Sequence, residues 1–194
     1  MKIVGLSGGL TTPSLTTALV DFVVSQAITP LPHTTHLLDI AEIASELALT
    51  ASRENASIKL IAKFEKIESA DLLVVGTPIV KGSYTGLLKH LFDLLNNSKS
   101  ENGIAIIAAT DRGDCNSLAL EYSLRPLLTH SGYYTVPTTV YARHNDFVDY
   151  RVAEEAVIVR ARRSVGETFR ILGLDPPLAT FITNGDSRDP GYCN

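Results

Sequence analysis

The chain is short of the features that mark most specialised protein classes. Its two cysteines, Cys115 and Cys193, are far apart among 194 residues. That excludes a disulfide framework or a close-spaced thiolate ligand pair and points to free thiols in a cytoplasmic protein. Basic residues do not outnumber acidic ones, with 17 Lys+Arg against 21 Asp+Glu and a net charge of -4. No footprint for tracking along a nucleic-acid backbone results. No apolar run reaches membrane-spanning length. The opening MKIVGLSGG enters a strand and then glycines, without the long apolar stretch of a secretory signal. Cytoplasmic location, no membrane association and no nucleic-acid partner are therefore expected.

Catalytic and cofactor signatures are equally sparse. GxGxxG is missing, and so is the P-loop lysine with its Ser/Thr. His33 and His36 lack a helical or cysteine-backed ligand pattern and read as surface residues, so no metal site is expected. No Ser-His-Asp arrangement emerges. His90 falls inside a helical stretch, where its spacing to Asp93 suits surface pairing. Cys115 lies in a candidate ligand loop but reads as an inert thiol. No protein residue is assigned a catalytic role, as suits a reaction whose chemistry a cofactor carries.

What is present is alternation. Apolar runs expected as strands cover Lys2–Leu6, Thr35–Ile40, Leu72–Val75, Gly103–Ala109 and Tyr133–Tyr141. Between them lie stretches of helical spacing: from Leu15, Ala41–Leu49, Ala56–Glu68, from Leu87, Ser117–Thr129 and Arg151–Leu172. Ile58, Ile61, Ala62 and Phe64 are expected to face inward on the third of these. Pro126 should bend its helix, and Pro137 should make the last strand irregular or an edge. With 45% apolar and 20% charged residues, the chain has the means to bury one core. The pattern predicts a three-layer α/β sandwich on a mainly parallel sheet, occupying residues 1–172. Periodicity then stops, and 173–194 reads as an extended or partly disordered C-terminal tail.

Three polar loops gather at the C-terminal edge of such a sheet, where open α/β sheets bind ligands. Ser7–Ser14 carries two glycines ahead of a helix start, which suits an anion; Thr12, followed by Pro13, and Ser14 compete to cap that helix. Thr77–Gly86 offers Lys81, Ser83, Tyr84 and Thr85. Thr110–Asn116 completes the set. The first loop suits a phosphate, and the other two suit the flanks of a flat ring.

GTPIVKGSYTGLLKHLFDLL at Gly76–Leu95, SGG and PS within Ser7–Ser14, and LEYSLRPLL at Leu120–Leu128 resemble the NAD(P)H-dependent FMN reductases. The likeness is greatest to those that supply reduced flavin to alkanesulfonate and methanesulfonate monooxygenases. It runs over roughly residues 2–171. It implies a flavodoxin-like fold with five parallel strands in the order 2-1-3-4-5, with FMN and NAD(P)H as cofactors. It implies Ser7, Gly9, Thr12 and Ser14 around the FMN phosphate, and Thr77, Pro78, Ile79, Val80, Lys81 and Tyr84 beside the ring and ribityl chain. Thr110, Asp111 and Arg112 would line the opposite edge. A flavin-dependent monooxygenase partner and a homodimer or homotetramer, with Leu87–Leu95 at a subunit contact, are implied too. Part of the family carries a π-type irregularity in the helix that here contains Tyr122.

Two departures stand out. The arginine usual in or just after the phosphate loop is absent, Leu10, Thr11, Thr12 and Leu15 occupying that neighbourhood. Asp111-Arg112 replaces the usual Gly-Gly, and Arg112 is a candidate contact for a nicotinamide phosphate or the flavin pyrimidine oxygens. An FMN-retaining quinone or azo reductase and a non-catalytic flavin electron carrier remain alternative readings of the same layout.

Overall fold

The computed structural model describes residues 1–28, 32–96, 103–113 and 117–177. Its sheet runs β2-β1-β3-β4, all parallel. These strands are β1 (Lys2–Ser7), β2 (Thr34–Asp39), β3 (Leu72–Pro78) and β4 (Ile104–Asp111). The fifth position beside β4 is shared by two short segments, β5 (Tyr134–Thr135) and β6 (Val140–Arg143). The architecture is thus the expected three-layer flavodoxin-like sandwich in the order 2-1-3-4-5.

The core is divided by the two-residue period of the strands. Leu73 and Val75 face one layer, while Leu72 and Val74 face the other. On the first side lie α2 (Ala44–Leu49), α3 (Ile58–Glu68), α4 (Gly86–Leu94) and α5 (Arg125–His130). On the second side α1 (Leu15–Gln26) and α6 (Glu155–Ile171) pack together. α1 lies close because β1 and β3 present glycines beneath it. A Cβ on Gly76 would sit 2.3 Å from Val20 Cγ2, and one on Gly5 would sit 2.8 Å from Val20 Cγ1.

Several local expectations are corrected. α3 turns Leu60, Phe64 and Ile67 inward, leaving Ile58 90% exposed as its first residue. The final helix starts at Glu155, because residues 151–152 form β8 (Arg151–Val152), paired antiparallel with β7 (Phe147–Val148). The tail is described only as far as residue 177, and Cys115 and Cys193 lie outside the described residues.

The two prolines act as their chemistry requires. Between β5 and β6, Pro137 has no N–H for a ladder. Arg125 donates to the carbonyls of Val136 and Pro137 at 2.8 and 3.2 Å, and Glu167 accepts from the Thr138 amide and hydroxyl. Pro126 follows a π-helical segment, Leu120–Leu124, in which the Arg125 amide reaches back to Leu120 O. The irregularity thus directly precedes the residue that cannot donate.

One ion pair is deeply placed. Glu68, 1% exposed, takes two bonds from Arg53 at 2.6 and 3.2 Å and one from the Asn96 amide. Tyr133 donates to Ile67 O, and burial with the nearby Glu68 charge pushes its ionisation upward, keeping it a neutral donor.

The glycine seat beneath α1 yields a direct test. Gly76→Ala should destabilise the protein by about 1–3 kcal/mol, the usual range for overpacking a dense core. Urea unfolding should show a lower midpoint at unchanged slope; an unchanged midpoint would mean that α1 has room to move.

Candidate active site

The strand order reverses between β1 and β3, and a cavity of about 420 Å³ opens beyond their C-terminal ends. That is the topological switch point at which open α/β sheets hold ligands, and the size is that of a small-molecule site. One wall is the loop after β1 with the first turn of α1, from Gly9 to Thr16. Pro78, Ile79, Val80 and Thr85 make a second, and Thr110, Asp111 and Arg112 a third. His144 and Tyr150 complete it.

The first loop is held by a directed chain of hydrogen bonds. Thr17 Oγ1 donates to Asp39 Oδ2 at 2.8 Å, so its contact with Ser7 Oγ, also 2.8 Å, has Ser7 as donor. Ser7 Oγ in turn accepts the Gly9 amide at 3.3 Å. Ser14, not Thr12, caps α1 by accepting the Thr17 amide, which settles the competition between the two caps. Helix geometry leaves the Leu15 and Thr16 amides of that first turn without intrahelical acceptors, at the cavity wall.

The loops are locked to one another at their roots. The Gly8 amide donates to Gly76 O at 2.7 Å, and Thr85 Oγ1 donates to Gly8 O at 2.9 Å. Thr77 Oγ1 accepts the Thr85 amide and donates to Pro78 O. Across the cavity floor Thr16 Oγ1 meets Thr110 Oγ1 at 2.6 Å, tying α1 to the end of β4. The Ile79 amide donates to Thr110 O at 2.8 Å. Val80 and Ser83 exchange two backbone bonds around Lys81 and Gly82, whose φ values of 52° and 79° make a tight reversal.

The expected site residues therefore fall into two groups. Gly9, Ser14, Pro78, Ile79, Val80, Thr110, Asp111 and Arg112 line the cavity. Ser7 and Thr77 are fully buried and hold loops, Thr12 and Lys81 are exposed, and Tyr84 lines a separate cleft between α4 and α5. Asp111 turns its carboxylate onto the Arg112 and Gly113 amides and the Tyr141 hydroxyl. It thereby organises the loop in place of the glycines usual there.

Thr85, offered by the second loop, also lines the cavity, as do Thr16, His144 and Tyr150, which sequence reading missed. Thr16 was masked by the helical pattern. His144 and Tyr150 sat in what reads as featureless chain. His90 lies outside the cavity and does not pair with Asp93: its Nε2 faces the carbonyls of Leu47 and Thr50 at 3.1 and 2.9 Å and so carries a proton, while Asp93 pairs with Lys89. Among the described residues no cluster of His, Cys, Asp or Glu can hold a metal ion, and no helix is long and apolar enough to cross a membrane.

A family model described as NADPH-dependent FMN reductase matches residues 1–147. The chain belongs to the NADPH-dependent FMN reductase family. It is 36% identical over 173 residues to the NADH-dependent FMN reductase SfnF of Pseudomonas fluorescens, covering 89% of this chain and 92% of that one. It is also 36% identical over 172 residues to an FMN reductase (NADPH) of Pseudomonas aeruginosa, with the same coverage. A solved oxidoreductase from Corynebacterium diphtheriae superposes with a TM-score of 0.76 at 31% identity, over 89% of this chain and 96% of that one. The apo NADH:FMN oxidoreductase EmoB shares the fold, at a TM-score of 0.69 and 24% identity over 92% of each chain.

The reductase is thus an NAD(P)H:FMN oxidoreductase that uses FMN and NAD(P)H. Its first loop fits a flavin phosphate. A Cβ on Gly9 would lie 2.7 Å from Ser14 Oγ and 3.4 Å from Ser7 Oγ, so only glycine lets the loop close this tightly on the two hydroxyls at the helix start.

The Thr16–Thr110 contact generates a testable asymmetry. Thr110→Val leaves the buried Thr16 hydroxyl unpaired and should lower stability by about 1–3 kcal/mol, whereas Thr16→Val/Thr110→Val should recover part of that loss. Denaturant melts of the two single variants and the double variant measure the coupling; additive losses would deny it.

Proposed function

We propose that the strand-end cavity is where this reductase binds FMN, and that reduced FMN leaves it for a flavin-dependent monooxygenase. When bound, the flavin supplies the hydride-accepting chemistry. The single observation that carries the reading is the Gly9 cradle at the α1 N-terminus, in a cavity at the switch point of the sheet. In this reading the Leu15 and Thr16 amides and the Ser14 side chain hold the phosphate. The Pro78–Val80 backbone and Thr110 flank the flat ring, with Asp111 and Arg112 at its far edge. Ser7 and Thr77 act by holding the two loops in register rather than by touching the flavin.

No side chain in the cavity is needed as an acid or base for hydride transfer. The chain's part is to orient two planar ligands and to keep water from the space between them. Relatives at the same identity are named for NADH and for NADPH, so both nucleotides belong in the test.

Mixed anaerobically with FMN and either nucleotide, the protein should bleach the oxidised flavin band. Gly9→Ala should raise the Kd for FMN at least tenfold and slow the bleaching at fixed FMN. Bleaching that fails with both nucleotides would refute the reading; Gly9→Ala with unaltered FMN affinity would move the phosphate elsewhere.

The subunit contact of the expected homodimer or homotetramer belongs, in the same reading, on the face formed by α4 and the π-helical segment. Leu118 and Tyr122 stand out there at 62% and 80% exposed. Tyr122→Glu should reduce the mass seen by size-exclusion with light scattering, and an unchanged mass would place the contact on another face.

A further inference from the structure

The family match ends at residue 147, and the cavity wall does not. Tyr150 lies beyond the match, in the two-residue turn of the β7–β8 hairpin. Asp149 and Tyr150 have φ of 46° and 59°. Such a turn is at ease with Asn-Gly, whereas a bulky side chain there carries a steric penalty that glycine avoids. Burial does not offset that penalty, since Tyr150 is 49% exposed. Strain at a cavity wall that packing does not repay points to a role toward the ligand.

The hairpin is a rigid arm. The Asp146 carbonyl accepts the Ala153 and Glu154 amides at 2.9 and 3.2 Å, and the Asp146 carboxylate accepts the Arg143 amide at 2.7 Å. Phe147 is buried, and Val152 packs against the same core cluster as Leu15. β8 lies against α1, so the turn is held on the α1 side of the cavity.

Charge points the same way. The Gly9–Thr16 wall contains no basic residue, and the basic side chains lining the cavity are Arg112 and His144. Asp111 pairs with Arg143 in parallel register, so Arg112 and His144 follow neighbouring strand ends at the same level. The Thr16–Thr110 bond brings the first turn of α1 to that level.

We propose that Tyr150 is a phosphate-contacting residue: its phenol O–H donates to the phosphate monoester of FMN on the α1 side of the cavity, where the first loop supplies no cation. The proposal rests on the FMN reductase reading. The 2′-phosphate of NADPH has the same chemistry, and the position of the hairpin against α1 assigns the contact to FMN.

The test is a fluorescence titration of the full chain with FMN and with riboflavin, beside KM values for NADPH and NADH. Tyr150→Phe should weaken FMN binding about tenfold and leave riboflavin binding and the melting temperature unchanged. Tyr150→Gly should show the same selective loss while melting higher, because the strained turn is relieved. Equal FMN affinity in Tyr150→Phe overturns the proposal, as does a parallel loss of FMN and riboflavin. A loss confined to NADPH against NADH overturns it by moving the contact to the pyridine nucleotide. A wild-type chain that binds neither flavin overturns the underlying reading with it; a wild-type chain that binds and reduces FMN, with Tyr150→Phe indistinguishable from it, overturns only the proposal.

Discussion

The closeness of α1 to the sheet is the constraint on which the rest depends. Val20 occupies the space where Gly5 and Gly76 would otherwise carry side chains. Strand and helix therefore approach within direct backbone-to-side-chain contact, and the first turn of α1 lies at the strand ends. From there Thr16 reaches Thr110, and the Gly8 amide reaches Gly76 O. Were α1 lifted by the thickness of a methyl group, the first and third loops would lose their shared hydrogen bond and the cavity its floor.

Upon that packing rests a polar framework with little freedom. The Gly9 amide, Ser7, Thr17 and Asp39 form a chain in which every donor has one acceptor and the carboxylate is its end. Asp39 also caps the short turn after β2 through Ala41 N, so it ties the outer strand to the helix that faces the cavity. The rim is thus built from buried hydroxyls whose partners are already set before any ligand arrives. Preorganisation of this kind suits an enzyme whose reaction needs two planar molecules held face to face, because ordering the site at the moment of binding would consume affinity.

The far side of the cavity is built differently. There a two-residue turn with both residues in the left-handed region is carried by a small hairpin, and the hairpin is fastened by Asp146, Phe147 and Val152 rather than by the main sheet. The interruption at Pro137 sits just before this arm, its carbonyls served by Arg125 and its following residue by Glu167. An irregular last strand is therefore joined to an irregular wall. The loop within the Gly76–Leu95 stretch and the loop at the end of β4, by contrast, follow from regular strands.

The amino-acid sequence by itself determined the layer architecture and the family. Leu72–Val75 and Ile104–Ala109 are apolar on both faces, which only a doubly covered sheet accommodates, and the Gly76–Leu95 stretch is distinctive enough to carry the resemblance. It also determined which loops line the cavity, because parallel strands put every βα loop at one edge. Tertiary structure decided which side chains in those loops face inward. Ser7, Thr77 and Tyr84 carry the right chemistry, yet burial and packing turn the first two to structural bonds and the third to another cleft. Thr16, His144 and Tyr150 carry no local signal, because their places come from α1 packing on β3, from β6 pairing with β4, and from a turn whose backbone sign no periodicity encodes. Local pattern reports the period of a segment; only the packing of distant segments reports what lies opposite a given atom.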